Sequence, residues 1–146
     1  MRNIFLTAVA LVVLGCGKTN SEEPIAPKEG SYTGTVSVVY NGSTFDNDNI
    51  QVDFKPAADG KTASIVLNQI RFVPTMPVTV DVTIPDVTVQ ADEKEIVLSC
   101  ARVVPLAMGG EYPRYTVTDL KGKIVGNEMT FSLNFGDSPT SFRGTK

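Results

Sequence analysis

The chain contains no histidine and no tryptophan, and only two of its 146 residues are cysteines. Without histidine, neither a Ser-His-Asp nor a Cys-His site can be built, and the usual zinc sites lose one of their two main ligand types. Carboxylate pairs remain available for acid–base chemistry, but no spacing in the sequence singles one out. We therefore expect a non-enzymatic protein without a metal or a cofactor.

Excess positive charge is also lacking. The formal net charge is −3, with 13 basic and 16 acidic residues, and the basic residues form no cluster. Nucleic acids and anionic surfaces attract proteins through positive patches. We therefore expect no nucleic-acid partner.

The longest apolar run extends from Ile4 to Leu14 and is too short to span a bilayer, which takes roughly 20 residues. Arg2 precedes this run and Gly15 follows it, the order found in secretory signals, so residues 1–15 are predicted to be a signal peptide. The stretch from Val13 to Cys16 resembles the bacterial lipobox. That resemblance implies that Cys16 is lipidated and becomes the new N-terminus, whereas the alternative is ordinary cleavage that leaves Cys16 unmodified.

The segment after Cys16 bears on where the protein is anchored. Residues 16–29 are polar, contain two prolines and lack an apolar period, which predicts a lipidated cysteine followed by a flexible tether. The residue after Cys16 is Gly17 and not the Asp that retains many lipoproteins in the inner membrane. By resemblance to those sorting rules, Gly17 implies that the protein is anchored in the outer membrane. Glu22 and Glu23 weakly resemble surface-export signals, so exposure at the cell surface is a further expectation.

From residue 30 onward, apolar and polar residues alternate and turn signals recur about every ten residues, the pattern of an all-β domain. The clearest strands are Val78–Ile84, which Pro85 should end, and Met129–Phe135. Further strands are predicted at 32–40, 50–54, 63–72, 96–102, 115–125 and 141–145, with hairpin turns at 41–42, 59–60, 126–127 and 136–137. About eight antiparallel strands fit an up-and-down β-barrel or, alternatively, a β-sandwich.

The two ends of this domain favour the barrel. Gly30-Ser31-Tyr32 opens the first strand and Arg143 lies on the last, and together they resemble the calycin signature, with Tyr32 in place of the family's Trp. The segment 30–146 thus resembles the calycin-like (lipocalin-like) lipoproteins of anaerobic gut bacteria, a family without a settled activity. The resemblance implies that Arg143 packs on the Tyr32 ring and joins the first strand to the last.

Three other features have competing interpretations. Cys100 lies in an alternating strand, and we interpret it as a core residue in preference to a nucleophile. Asp46-Asn47-Asp48-Asn49 offers oxygen ligands of the kind that Ca²⁺ prefers, but a solvated hairpin turn is the preferred interpretation. The apolar segment 103–113, flanked by Arg102 and Arg114, is interpreted as a plug at one end of the core in preference to a mobile lid.

Two functions remain open. The first is an envelope lipoprotein whose barrel binds a small apolar or amphipathic ligand in a cavity lined by Val80, Phe131 and Leu133. The alternative is a structural or protein-interaction module of an outer-membrane assembly, with a filled core. In both, the membrane is a partner through the anchor at Cys16, and an envelope protein is the second partner of the alternative.

Overall fold

The computed structural model describes residues 27–72 and 74–146, so the predicted signal peptide, Cys16 and most of the predicted tether lie outside the described residues. The described chain is almost entirely β-structure, and none of its helices is long and apolar enough to cross a membrane. The ten strands are β1 Gly30–Tyr40, β2 Ser43–Pro56, β3 Thr62–Ile70, β4 Val80–Ala91, β5 Ile96–Val103, β6 Leu106–Ala107, β7 Gly110–Glu111, β8 Val117–Val125, β9 Glu128–Phe135 and β10 Ser138–Thr145.

Eight long strands form a closed antiparallel barrel in which neighbours in the ring are joined in the order β1, β2, β3, β4, β5, β8, β9, β10 and back to β1. The pairing of β3 with β4 completes the ring, because it joins strands that would otherwise lie apart in an open sheet. The predicted up-and-down β-barrel is therefore confirmed, and the β-sandwich is wrong. The ring encloses one hydrophobic core within Gly30–Thr145.

The short hairpin of β6 and β7 is an addition to this barrel. Leu106 and Ala107 of β6 pair with Thr83 and Val82 of β4, and β6 pairs in turn with β7. The hairpin and the 3-10 helix Pro113–Tyr115 both lie in the connection between β5 and β8. The segment 103–113, interpreted from the sequence as a plug, therefore contains two short strands.

The alternating strand directions give the barrel two different ends. The connections β1–β2, β3–β4, β5–β8 and β9–β10 meet at one end, which we call the mouth. The opposite end holds the other three connections, the start of β1 at Gly30 and the chain end at Lys146. The Lys146 N–H donates to the Asn127 carbonyl at 2.9 Å and ties the chain end to the β8–β9 turn. The segment that precedes the barrel thus joins it at the end away from the mouth.

Four bulges curve the strands. Asn49, Gln69, Asp86 and Asp119 each have a positive φ within a strand, and each lies at or opposite one of the four register shifts of the barrel. A bulge sets two residues against one and increases the local twist, which helps a sheet to close on itself.

The bulge at Asp86 explains why one strand prediction is wrong. Pro85 does not end β4, which continues to Ala91. Ala63 pairs with Val87 and Ile65 with Ile84, so Pro85 and Asp86 both lie opposite Ser64. Proline lacks an N–H, and a bulge is a place in a sheet where that donor is dispensable.

The barrel interior away from the mouth is filled by side chains. Inward-facing residues alternate along each strand, and many of the largest, such as Phe54, Leu67 and Leu98, are fully buried. An eight-stranded barrel has an interior just wide enough for side chains. The core therefore accounts for the stability of the barrel and leaves the mouth as the place for a cavity.

Asp53 of β2 connects strands β1, β2 and β3 on the outer face of the barrel. Its carboxylate accepts hydrogen bonds from Ser31 Oγ at 2.7 Å, Gln51 Nε2 at 2.9 Å and Asn68 Nδ2 at 3.1 Å. Partial burial would by itself raise the pKa of Asp53, but these hydrogen bonds outweigh it and hold the pKa below its usual value. The ionised carboxylate therefore links the first three strands.

Candidate functional site

A cavity of about 640 Å³ opens at the mouth. This volume is within the range of about 300–1,000 Å³ that is usual for small-molecule sites. The buried rings of Phe72 and Phe135 form its base, Tyr112 and Tyr115 its wall, and the exposed Met108 part of its rim. The cavity thus combines an aromatic interior with an open, partly apolar edge.

Asn47 of β2 holds the chain in place at this cavity. Its buried side chain pairs with the backbone of Arg71: Oδ1 accepts from the Arg71 N–H at 2.9 Å, and Nδ2 donates to the Arg71 carbonyl at 3.1 Å. A side-chain amide that bonds both backbone groups replaces a missing strand partner. Phe72, the next residue, is thereby fixed at the base of the cavity.

Met76, in the connection between β3 and β4, contacts Arg71 and Phe72. The Phe72 N–H donates to Met76 Sδ at 3.1 Å, and Arg71 Nε donates to the Met76 carbonyl at 3.1 Å. Both contacts hold Met76 against the two residues that follow β3. Met76 itself is partly buried against the core and lines the cavity.

A stack of three aromatic rings connects the base of the cavity to its wall. Phe72 and Tyr115 lie with centroids 4.0 Å apart and planes 10° apart, and Tyr115 and Tyr112 with centroids 5.3 Å apart and planes 4° apart. Phe135 meets the other side of Phe72 edge-on at 5.0 Å. Such pairs contribute about 0.5–1.5 kcal/mol each beyond their buried area, so the stacked rings stabilise one another as a continuous aromatic surface.

A turn of 3-10 helix positions two of these rings. Pro113 begins the helix Pro113–Tyr115, and the Thr116 N–H closes it on the Pro113 carbonyl at 3.2 Å. Before the helix, the Tyr112 N–H donates to the Pro105 carbonyl at 2.9 Å. The two tyrosines therefore face the same side, three residues apart on one turn.

Two charged groups border the cavity. Arg114 and Asp137 both line it, and the Arg114 guanidinium lies 5.7 Å from the Tyr115 ring centroid. Within residues 27–72 and 74–146, the one ion pair joins Arg143 and Glu128, so neither Arg114 nor Asp137 has an ion-pair partner there. A bound molecule could meet either charge at the rim.

The three residues predicted to line a cavity are placed differently. Val80 does line the mouth cavity. Phe131 and Leu133 are each 3% exposed in the hydrophobic core, and Phe131 packs on Phe142 with ring centroids 5.2 Å apart. These two therefore do not line the mouth cavity, because on strand β9 only the last inward-facing residue, Phe135, reaches the mouth.

The predicted contact between Tyr32 and Arg143 is also wrong. Tyr32 is buried, whereas the Arg143 side chain is 77% exposed and pairs with Glu128 at 2.8 Å. The register sets Thr35 opposite Arg143, so Tyr32 and Arg143 lie on opposite faces of the sheet. Lys146 instead places its Nζ 5.5 Å from the Tyr32 ring centroid.

The interpretation of Asp46–Asn49 as a hairpin turn is wrong, because these residues belong to strand β2. Asp46 accepts a hydrogen bond from Ser37 Oγ at 2.7 Å and Asp48 one from Thr35 Oγ1 at 3.2 Å, while Asn47 points inward. Over the described part of the chain, no three His, Cys, Asp or Glu residues converge as metal ligands would.

Cys100 is a free, half-buried thiol that packs against the hydrophobic core. Burial raises the pKa of this thiol above its usual value. A thiol that resists ionisation is a poor nucleophile, so its place in the structure agrees with the interpretation of Cys100 as a core residue.

The cavity residues that sequence reasoning missed are Phe72, Tyr112 and Tyr115. The one available signal was the close spacing of Tyr112 and Tyr115 around Pro113 in a segment without strand alternation. Phe72 lies just beyond the end of β3, and nothing in the sequence indicates that it meets residues more than 40 positions away. The comparison with known proteins finds no matching family model, no matching curated protein and no matching solved structure.

Proposed function

We propose that this chain is a non-enzymatic lipoprotein of the bacterial cell envelope whose barrel binds a small apolar or amphipathic molecule at its mouth. The observation that carries the proposal is the cavity of about 640 Å³ with its stacked aromatic wall. Apolar pockets with a few polar groups at the edge are typical of small-molecule sites. Arg114 and Asp137 are such groups here.

The direction of the mouth is compatible with the proposed anchor at Cys16. The chain enters the barrel at Gly30, at the end away from the mouth, so the attachment of the tether leaves the mouth uncovered. If extended, the thirteen residues from Gly17 to Glu29 reach on the order of 45 Å. The site would then meet molecules in the aqueous phase next to the membrane. The residue after Cys16, Gly17, favours the outer membrane, and Glu22 and Glu23 favour its outer surface.

A second candidate function is a protein-interaction module in an outer-membrane assembly. Two observations favour it: the core away from the mouth is filled, and apolar side chains such as Val78 and Met108 are exposed at the rim. Exposed apolar patches mark protein contacts as well as ligand sites. The two candidates differ in the size of the molecule that covers this rim.

Native mass spectrometry of residues 17–146, exposed to an extract of the cell envelope, tests the first proposal. We expect a reproducible added mass of a few hundred daltons. Tyr112→Ala removes the outer ring of the stack and should lower the occupied fraction. Val125→Thr is the matched control, because Val125 is an exposed apolar residue beside the β8–β9 turn at the opposite end of the barrel.

Three outcomes are informative. An added mass that Tyr112→Ala reduces and Val125→Thr retains supports a ligand at the mouth. An added mass that both variants retain places the ligand elsewhere and contradicts the proposal. Bare protein under all conditions, together with a specific envelope protein recovered through the rim, favours the interaction module instead.

A further inference from the structure

Met108 occupies the tip of the β6–β7 hairpin in a backbone conformation that disfavours it. Its φ is 52°, and Gly109 follows with a φ of 84°. The turn between β1 and β2 has nearly the same angles, 50° at Asn41 and 77° at Gly42. Two-residue turns with both φ values positive strongly prefer Asn-Gly, and a side chain such as Met is strained there. The chain thus uses the favoured pair in one turn and a disfavoured residue in the other.

The Met108 side chain gains no burial that would offset this strain. It is 71% exposed, and its neighbour at the rim, Val78, is 62% exposed. Backbone strain of this kind clusters at sites that contact ligands. The question is which molecule covers these two side chains.

Met108 and Val78 separate two depressions. One is the mouth cavity, and the other is a groove of about 720 Å³ on the outside of β4. Val78, Val80, Ala107 and Met108 line both. A molecule confined to the mouth would contact these side chains from one side only, whereas one that crosses the rim into the groove would cover them from both sides.

The two depressions differ in chemistry. The mouth has aromatic walls, whereas the groove has none. Beyond the shared rim and Leu106, the groove is lined by the polar side chains of Gln69, Thr79 and Thr83, and its one charged lining residue is Asp81. One oxygen of Asp81 accepts the Gln69 N–H at 2.8 Å. A carboxylate attracts hydrogen-bond donors and repels anions.

We propose that the ligand is an elongated amphiphile whose apolar part occupies the mouth and whose head group, rich in hydroxyl donors and not anionic, lies in the groove. Its chain crosses the rim on Met108 and Val78. This inference rests on the proposed function, which supplies the ligand at the mouth. It adds the shape of the ligand, the chemistry of its head group and the role of Met108 as a contact residue.

Calorimetric titration of residues 17–146 with decyl glucoside and decyl sulfate, both below their micelle concentrations, tests the inference. We expect the glucoside to bind more tightly than the sulfate, although their chains are equal in length. Met108→Asn installs the residue that the turn prefers and removes the apolar contact. It should lower the affinity for the glucoside about fivefold while raising the melting temperature by about 3 °C. Met108→Leu keeps the contact and should change neither value.

The outcomes separate the two proposals. If the wild-type protein binds neither amphiphile, the proposed function fails, and this inference fails with it. If it binds the glucoside and Met108→Asn binds equally well, only the inference is overturned. The inference is also overturned if the sulfate binds at least as tightly as the glucoside, or if Met108→Asn does not raise the melting temperature.

Discussion

Gly34 of β1 and Gly144 of β10 face each other across the seam where the first strand meets the last. A Cβ atom added to Gly34 would overlap the Arg143 carbonyl oxygen and lie 2.5 Å from the Gly144 Cα. Both obstacles are backbone atoms of the paired strand, so no side-chain rotation can relieve the clash. Gly34→Ala must therefore push β1 away from β10.

The size of the effect follows from the hydrogen bonds that such a shift breaks. Two ladder bonds next to Gly34 would be lost, and each buried group left without a partner costs about 1–3 kcal/mol. We expect the free energy of unfolding to fall by about 2–6 kcal/mol, a large part of the roughly 5–15 kcal/mol of a typical domain. The chain has no tryptophan, so far-UV circular dichroism in a urea titration is the suitable assay.

Gly110→Ala is the matched control. Gly110 has no positive φ, and a Cβ there would meet no atom within 4 Å. Its unfolding free energy should stay within about 0.5 kcal/mol of the wild-type value. If Gly34→Ala is equally harmless, the close approach of β1 and β10 is refuted, and the closure of the barrel at this seam must be reconsidered.

Three further expectations concern the carboxylate of Asp53, the thiol of Cys100 and the contact of Lys146 with the Tyr32 ring. Because the pKa of Asp53 is lower in the folded protein, its ionised carboxylate stabilises the fold at pH values above the unfolded pKa of about 3.9. This stabilisation is lost as the pH falls through the folded pKa. The stability gap between wild type and Asp53→Asn in urea should thus shrink below about pH 4. Cys100, with its raised pKa, should react with Ellman's reagent far more slowly in folded than in unfolded protein, measured at pH 8 in a Cys16→Ser background. A double-mutant cycle should give Tyr32 and Lys146 about 0.5 kcal/mol of coupling and Tyr32 and Arg143 none.

Most of the fold could be predicted because barrel strands have one face in the core and one in water. Met129–Phe135 shows this most clearly, since its four apolar residues are all buried and the residues between them are not. The four turns at 41–42, 59–60, 126–127 and 136–137 were recognisable because Gly and Asn adopt positive φ easily. Closure itself could not be derived, since alternation is the same in a barrel and in a sandwich.

Two predictions of local structure are wrong in regions where a strand contains a bulge. Pro85 reads as the end of a strand, but the bulge at Asp86 accommodates it. Asp46–Asn49 reads as a turn because these residue types favour turns. In the structure, Asp46, Asn47 and Asp48 instead make hydrogen bonds to residues of other segments. These partners are distant in sequence, so single-residue preferences could not indicate them.

The candidate site was the least predictable part. Of the three expected cavity residues, only Val80 lines the mouth, because alternation tells which face is inward but not how high along the barrel axis a residue lies. The register between strands fixes that height, and bulges shift it. The same limit explains the wrong pairing of Tyr32 with Arg143, whose side chains lie on opposite faces of the barrel.

A nuclear magnetic resonance titration of ¹⁵N-labelled residues 17–146 with decyl glucoside tests the binding site at the mouth most directly. We predict saturable shifts in the amides of Phe72, Met108 and Tyr115, while Lys94 and Asn127, in the turns at the opposite end, stay unchanged. Shifts centred on that opposite end, or no saturable shift at any amide, would contradict the account of the mouth as a ligand site.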